Sequence, residues 1–174
     1  MSRLHFPASH SRRPASVASE AARICALSVS NHIALTGGRV TVSLAALQMG
    51  LSPLNVGLLV AVFAILPMLT SVHAGRWIDG VGITRPMAIG TATVCLGTTI
   101  SFISQAPFAL LCTACCIGLG FMLQQVAIQN VMGQAEPAQR LRNFSWLALA
   151  LAMSGFAGPL TAGLAIDNLG YQWT

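Results

Sequence analysis

Oily residues run almost unbroken along this chain and are interrupted by short polar clusters. Apolar stretches cover residues 24–49, 54–72, 86–103, 107–128 and 145–166. Each is long enough, or nearly so, to cross a hydrocarbon core about 30 Å thick at about 1.5 Å per residue of helix. The polar stripes that a very apolar soluble bundle would need along each helix are missing from them. Backbone amides in lipid must be bonded within the segment itself, so the pattern predicts five transmembrane helices. Turn chemistry separates them. Gly50-Leu51-Ser52-Pro53 places a serine cap and a first-turn proline before the second helix. Ser104, Gln105 and Pro107 mark the turn between the third and fourth. Longer polar loops are expected at His73–Arg85 and Gln134–Asn143, and a polar tail at residues 1–23.

Composition sharpens this picture. Of 174 residues, 55% are hydrophobic and 7% are charged, against about a quarter charged in an ordinary soluble domain. So few charges cannot solvate a surface of this size, and the expected surroundings are lipid. The expected class is an all-α, polytopic transmembrane bundle.

Arginine supplies every basic residue, and its placement gives orientation. Arg3, Arg12, Arg13 and Arg23 precede the first helix. Arg76 and Arg85 lie between the second and third, and Arg140 and Arg142 between the fourth and fifth. The alternate connections carry none. An excess of arginine on one face marks the cytoplasmic side, so the N-terminus is expected in the cytoplasm, with a bacterial inner membrane as the host. Trp77, Trp146, Tyr171 and Trp173 fall near helix ends, where interfacial aromatics belong.

Several functions are disfavoured by the same residues. The arginines are scattered between apolar runs rather than gathered on one face, which argues against nucleic acid. The five cysteines are odd in number and lie inside apolar runs. They suit neither a secreted disulfide framework nor a zinc site, so no metal is expected and small-residue packing is their reading. No nucleophile elbow or histidine pair suggests an enzyme, and no cofactor is implied.

Arg39 stands apart, in the middle of the first apolar stretch after Gly37 and Gly38. An arginine at bilayer depth is costly unless it faces protein or water, and by default it marks a substrate or ion path. His32 and Ser43 share roughly its helical face. The three make a candidate site for an anionic or polar solute. The alternative is a structural arginine serving a helix break at Gly37-Gly38. Gln124 and Gln125 either line the same cavity or sit at the cytoplasmic end of the fourth helix.

Two segments carry a family resemblance. Gly75-Arg76-Trp77-Ile78-Asp79-Gly80-Val81-Gly82-Ile83-Thr84-Arg85 resembles the signature that the major facilitator superfamily carries between its second and third helices. Gly75, Asp79 and Gly82 match in spacing, and Arg85 supplies the positive charge one position late. Ser154-Gly155-Phe156-Ala157-Gly158-Pro159-Leu160-Thr161-Ala162-Gly163 resembles the family's fifth-helix motif through Gly158, Pro159 and Gly163. A further motif departs from the pattern. Where the family's fourth helix carries an arginine linked to proton coupling, this chain has Ala114.

The resemblance implies a small-solute transporter working by alternating access between two six-helix halves. The first segment would act as a cytoplasmic gating loop, and the fifth-helix motif leans towards export. Its partners would be the bilayer, a small-molecule substrate, and a second half or partner chain, because five helices amount to the first half less one. The expectation is therefore an incomplete chain. The other class compatible with these residues is a small membrane interaction or assembly protein without transport.

Overall fold

Ser52 opens the second helix as its chemistry requires. It is extended (φ −63°, ψ 152°), and its Oγ accepts the Asn55 N–H at 3.3 Å, with Pro53 in the first turn. The computed structural model describes residues 14–104 and 106–170 and consists of five helices: α1 (Pro14–Gln48), α2 (Pro53–Val81), α3 (Thr84–Ile103), α4 (Pro107–Gly133) and α5 (Pro137–Leu169). Arg3, Arg12, Arg13, Tyr171 and Trp173, expected to flank the membrane, lie outside the described residues, as does Gln105 of the expected turn.

All five apolar stretches became helices, and most of the helices overrun them. The loop expected at His73–Arg85 is a correction. α2 continues to Val81, and Thr84 already begins α3, so Gly75 and Asp79 ride on the last two turns of a helix. Helix continues because it keeps the amides bonded, and neither Gly75 nor Gly80 departs from right-handed backbone. Gly82 does. At φ 77° it takes the left-handed position that a side chain resists, and its N–H closes the helix on the Ile78 carbonyl at 2.9 Å. The loop expected at Gln134–Asn143 shrinks likewise. Pro137 starts α5 after Glu136, and Arg140 turns back to the Ala135 carbonyl at 3.2 Å. The expected N-terminal tail is helical from Pro14 onward. No break occurs at Gly37-Gly38, where α1 is continuous.

α4 is the hub. It packs most extensively on α3, then on α2 and α1, while α5 packs on α1. Lipid tails are as apolar as leucine, so close backbone approach has to hold such helices together. Glycines supply it. A Cβ on Gly90 of α3 would lie 2.7 Å from the Gly120 carbonyl oxygen of α4. One on Gly97 would lie 2.9 Å from Cys116 Cβ, and one on Gly118 would lie 2.8 Å from the Phe63 carbonyl oxygen of α2. Between α1 and α5, a Cβ on Gly158 would overlap Thr36 Oγ1 and come within 3.0 Å of the Gly37 nitrogen and the Ile33 oxygen. Thr36 Oγ1 also approaches the Ser154 carbonyl across this contact at 3.3 Å.

The outer faces are inverted relative to a soluble protein. Leu54, Met68, Leu69, Phe108, Met153 and Phe156 are among the large apolar side chains left exposed. Among the described residues, four helices, α2 to α5, are long and apolar enough to cross a membrane. Asn31, His32 and Arg39 make α1 the more polar member, and it is held against α5, α4 and α2.

Candidate functional site

Arg39 projects from α1 into an open cavity of about 360 Å³ lined by α1, α2 and α4. Its guanidinium carbon lies 5.7 Å from the centroid of Phe63, within cation–π range. Phe63 itself is held by the core of Leu35, Val42, Leu59, Leu110 and Ile117. Arg39 Nε is buried and has no hydrogen-bond partner. Pro67, Met68, Ser71, Phe121 and Gln125 complete the wall nearest the charge. The lining therefore offers one fixed positive charge, a hydroxyl, an amide and two aromatic rings, and no carboxylate. All four carboxylates of the sequence (Glu20, Asp79, Glu136 and Asp167) lie outside the apolar stretches.

The balance of magnitudes matters here. An arginine at the centre of a membrane helix costs about 2.5–3.5 kcal/mol on insertion scales. A ring contact returns about 0.5–2 kcal/mol. A counter-anion in the cavity would supply the remainder.

The structure unites only part of the predicted trio. His32 stands two turns below Arg39 on the same helix and does not line the cavity. Its ring meets Phe121, one of the cavity's own walls, at 5.3 Å between centroids and 37°, and its Nδ1 is buried without a partner. Ser43 is drawn back to its own helix, where its Oγ donates to the Arg39 carbonyl at 2.6 Å. The two glutamines part company. Gln125 faces the cavity, whereas Gln124 is buried between α3 and α4 and donates through Nε2 to Thr91 Oγ1.

Phe63, Ser71 and Phe121 were not legible from the sequence. Nothing in the spacing of a uniformly apolar helix says which phenylalanine turns towards a charge on another. A second cavity of about 290 Å³ between α1, α3, α4 and α5 is lined by threonines and by Gly37, Gly38 and Gly158. It contains no charged side chain. Thr41, Thr98 and Thr161 are already bonded to their own helices, and Thr113 to the Gly97 carbonyl of α3.

The residues of the expected gating loop lie at the end of the bundle where α2 stops and α4 ends. Asp79 is exposed, and its Oδ1 accepts Asn130 Nδ2 of α4 at 2.7 Å. Asn130 Oδ1 in turn accepts Gln134 Nε2 at 2.7 Å. The carboxylate thus pins α2 to α4 through an amide relay. Gly75 and Gly82 have open space where a side chain would go, and Arg85 is exposed in the first turn of α3. In the fifth-helix motif, Gly158 is a true contact, Pro159 lies within α5, and Gly163 meets nothing within 4 Å. Ala114 is fully buried among Leu35, Phe63 and Ile117. An arginine there would be an unpaired charge in apolar packing.

Among the described residues, no cluster of histidine, cysteine or carboxylate could hold a metal ion. Cys95, Cys112, Cys115 and Cys116 are free thiols.

None of the curated proteins matches this chain. The family comparison does match, and over most of its length. The model described as Major Facilitator Superfamily covers residues 24–174, a span that includes the Arg39 cavity, the Asp79 relay and the Gly158 contact. With its apolar helices and inverted surface, the chain belongs to the Major Facilitator Superfamily and is an integral membrane transporter of that type.

Proposed function

We propose that this carrier moves a small organic anion whose charge is held by Arg39. One observation carries the reading: a guanidinium with a buried, unpartnered Nε opens onto a cavity without a carboxylate. Phe63 and Phe121 favour an apolar or aromatic body on the same solute, and Ser71 and Gln125 can orient its polar atoms. α1 crosses the membrane with the others, with Arg39 turned towards this cavity and its N-terminus in the cytoplasm, as the arginine distribution favours. The Asp79–Asn130–Gln134 relay then belongs to the cytoplasmic end. There it acts as part of the gate that closes when the carrier faces outward.

Export is the favoured direction, on the strength of the Gly158-Pro159 motif. A second half, continuous with this chain or supplied by a partner, completes the solute path.

Flux in reconstituted proteoliposomes tests the reading. Labelled benzoate, an aliphatic monocarboxylate and a cationic dye are offered to vesicles bearing the full chain with its second half. Carboxylate flux that drops at least tenfold in Arg39→Gln, with the variant still inserted, is the expected result. Unchanged carboxylate flux in that variant, or flux of the cation alone, refutes it. Absence of flux for every solute would favour a membrane assembly role instead.

A further inference from the structure

The cavity at Arg39 has two polar ends. Arg39 marks one, with its guanidinium carbon 5.7 Å from the Phe63 centroid. Phe63 stands level with Gly118, where a Cβ would lie 2.8 Å from the Phe63 carbonyl oxygen. From this level α2 and α4 run in the same direction, and Asp79 meets Asn130 further on. Ser71 comes eight residues after Phe63 and Gln125 seven after Gly118, and both line the cavity. The two therefore share one depth, about 10–12 Å along the axis from the charge. Between the ends the lining is apolar, with Pro67, Met68, Phe121 and Met122.

Hydrogen-bond accounting at the far end selects its partner. Ser71 Oγ donates its proton to the Met68 carbonyl at 3.0 Å, so towards the cavity it can only accept. The Gln125 side chain bonds to none of the described residues, and it offers N–H donors beside its oxygen. Together they match a hydroxyl, which donates once and also accepts. Its O–H points to Ser71 Oγ, and Gln125 Nε2–H points to the hydroxyl oxygen. A second carboxylate would meet no cation there and would set its lone pairs against those of Ser71. An ammonium would meet no carboxylate.

From these two ends we infer that the solute is a hydroxylated aromatic monocarboxylate, its hydroxyl opposite the carboxylate and read by Ser71 and Gln125. The inference rests on the reading of Arg39 as an anion site and names the substrate class. A hydrogen bond of about 2.8 Å at each end leaves about 5–6 Å between the polar groups of the solute. One benzene ring carrying the two groups para to each other fills that span. Its faces and edges pack on Phe121 and the Met68 and Met122 thioethers, contacts that favour a ring over a flexible chain. An ortho hydroxyl stays beside the carboxylate and cannot reach Ser71.

Equilibrium dialysis against the full chain in lipid nanodiscs tests this with benzoate, ortho-hydroxybenzoate and para-hydroxybenzoate. The para acid should bind about five- to tenfold more tightly than benzoate, the return of a well-made neutral hydrogen bond. The ortho acid should gain nothing. In Ser71→Ala and in Gln125→Leu the ratio of para-hydroxybenzoate to benzoate affinity should fall to about twofold or less. Should either variant fail to fold, the three acids on the parent chain decide alone. Equal binding of benzoate and the para acid, both weakened in Arg39→Gln, overturns the hydroxyl site and leaves the anion site standing. So does a para preference that survives in both variants. Binding indifferent to Arg39→Gln, or no binding of any acid, overturns both readings.

Discussion

The contact between α1 and α5 can be broken by a single methyl group. In Gly158→Ala the new Cβ overlaps Thr36 Oγ1 and sits 3.0 Å from the Gly37 nitrogen and the Ile33 oxygen. A carbon atom needs about 3.5 Å or more. The hydroxyl can rotate away, at the expense of its 3.3 Å approach to the Ser154 carbonyl, an interhelical interaction worth about 0.6 kcal/mol in a bilayer. The two backbone atoms cannot rotate, so the helices must separate by about half an ångström. Overpacking of this kind costs about 1–3 kcal/mol. The sum is about 2–3 kcal/mol, a drop of thirtyfold or more in the folded-to-unfolded ratio at about 1.4 kcal/mol per decade. Unfolding of the chain in mixed micelles by titrated SDS, followed by helical circular dichroism, measures it. Gly163→Ala is the internal control, because a Cβ there meets nothing within 4 Å, and it should unfold within about 0.5 kcal/mol of the parent. Thr36→Ala combined with Gly158→Ala should recover part of the loss, giving a coupling of about 0.5 kcal/mol or more. Equal stability of Gly158→Ala and the parent, or an equal penalty at Gly163, would refute the account of this interface.

Two further changes probe contacts on α4. Thr91→Val removes the acceptor of Gln124 Nε2 while Oε1 is already without a partner. It should cost about 1–2 kcal/mol in the same unfolding assay, and adding Gln124→Met should restore most of that. Asn130→Asp sets a second carboxylate against Asp79 in place of a 2.7 Å hydrogen bond. Hydrogen exchange should then quicken at residues 76–81 and 128–133, and less in Asn130→Ala.

The existence and kind of each described helix could be read from the runs of apolar residues, because a single run of about twenty such residues can bond its own backbone in lipid only as a helix. Their ends could not. Polar residues such as His73, Gly75 and Asp79 look like loop when hydropathy is the guide, yet a helix can leave the membrane and keep its amides bonded for two more turns. Among the described residues, only Gly82, Gly50 and Gly170 have the left-handed backbone that ends these helices, and sequence does not separate them from Gly75 or Gly80. The charge at Arg39 was legible because so little else in the apolar runs is polar. Its surroundings were not. Phe63, Phe121 and Gln125 are chosen by how α2 and α4 rotate about their axes, which glycine contacts decide. The near-equivalence of Gln124 and Gln125 in sequence resolves the same way, one turning towards Thr91 and the other towards the cavity.

The α3–α4 pairing bears on how the protein is made. These helices follow each other across residues 104–106 alone, and their surfaces meet backbone to backbone at Gly90 and Gly120 and closely again at Gly97. The nearest neighbours of all three glycines belong to these two helices themselves. The two can pair as a hairpin as soon as both have left the ribosome, giving the later-synthesised α5 and the earlier α1 a finished surface on which to close.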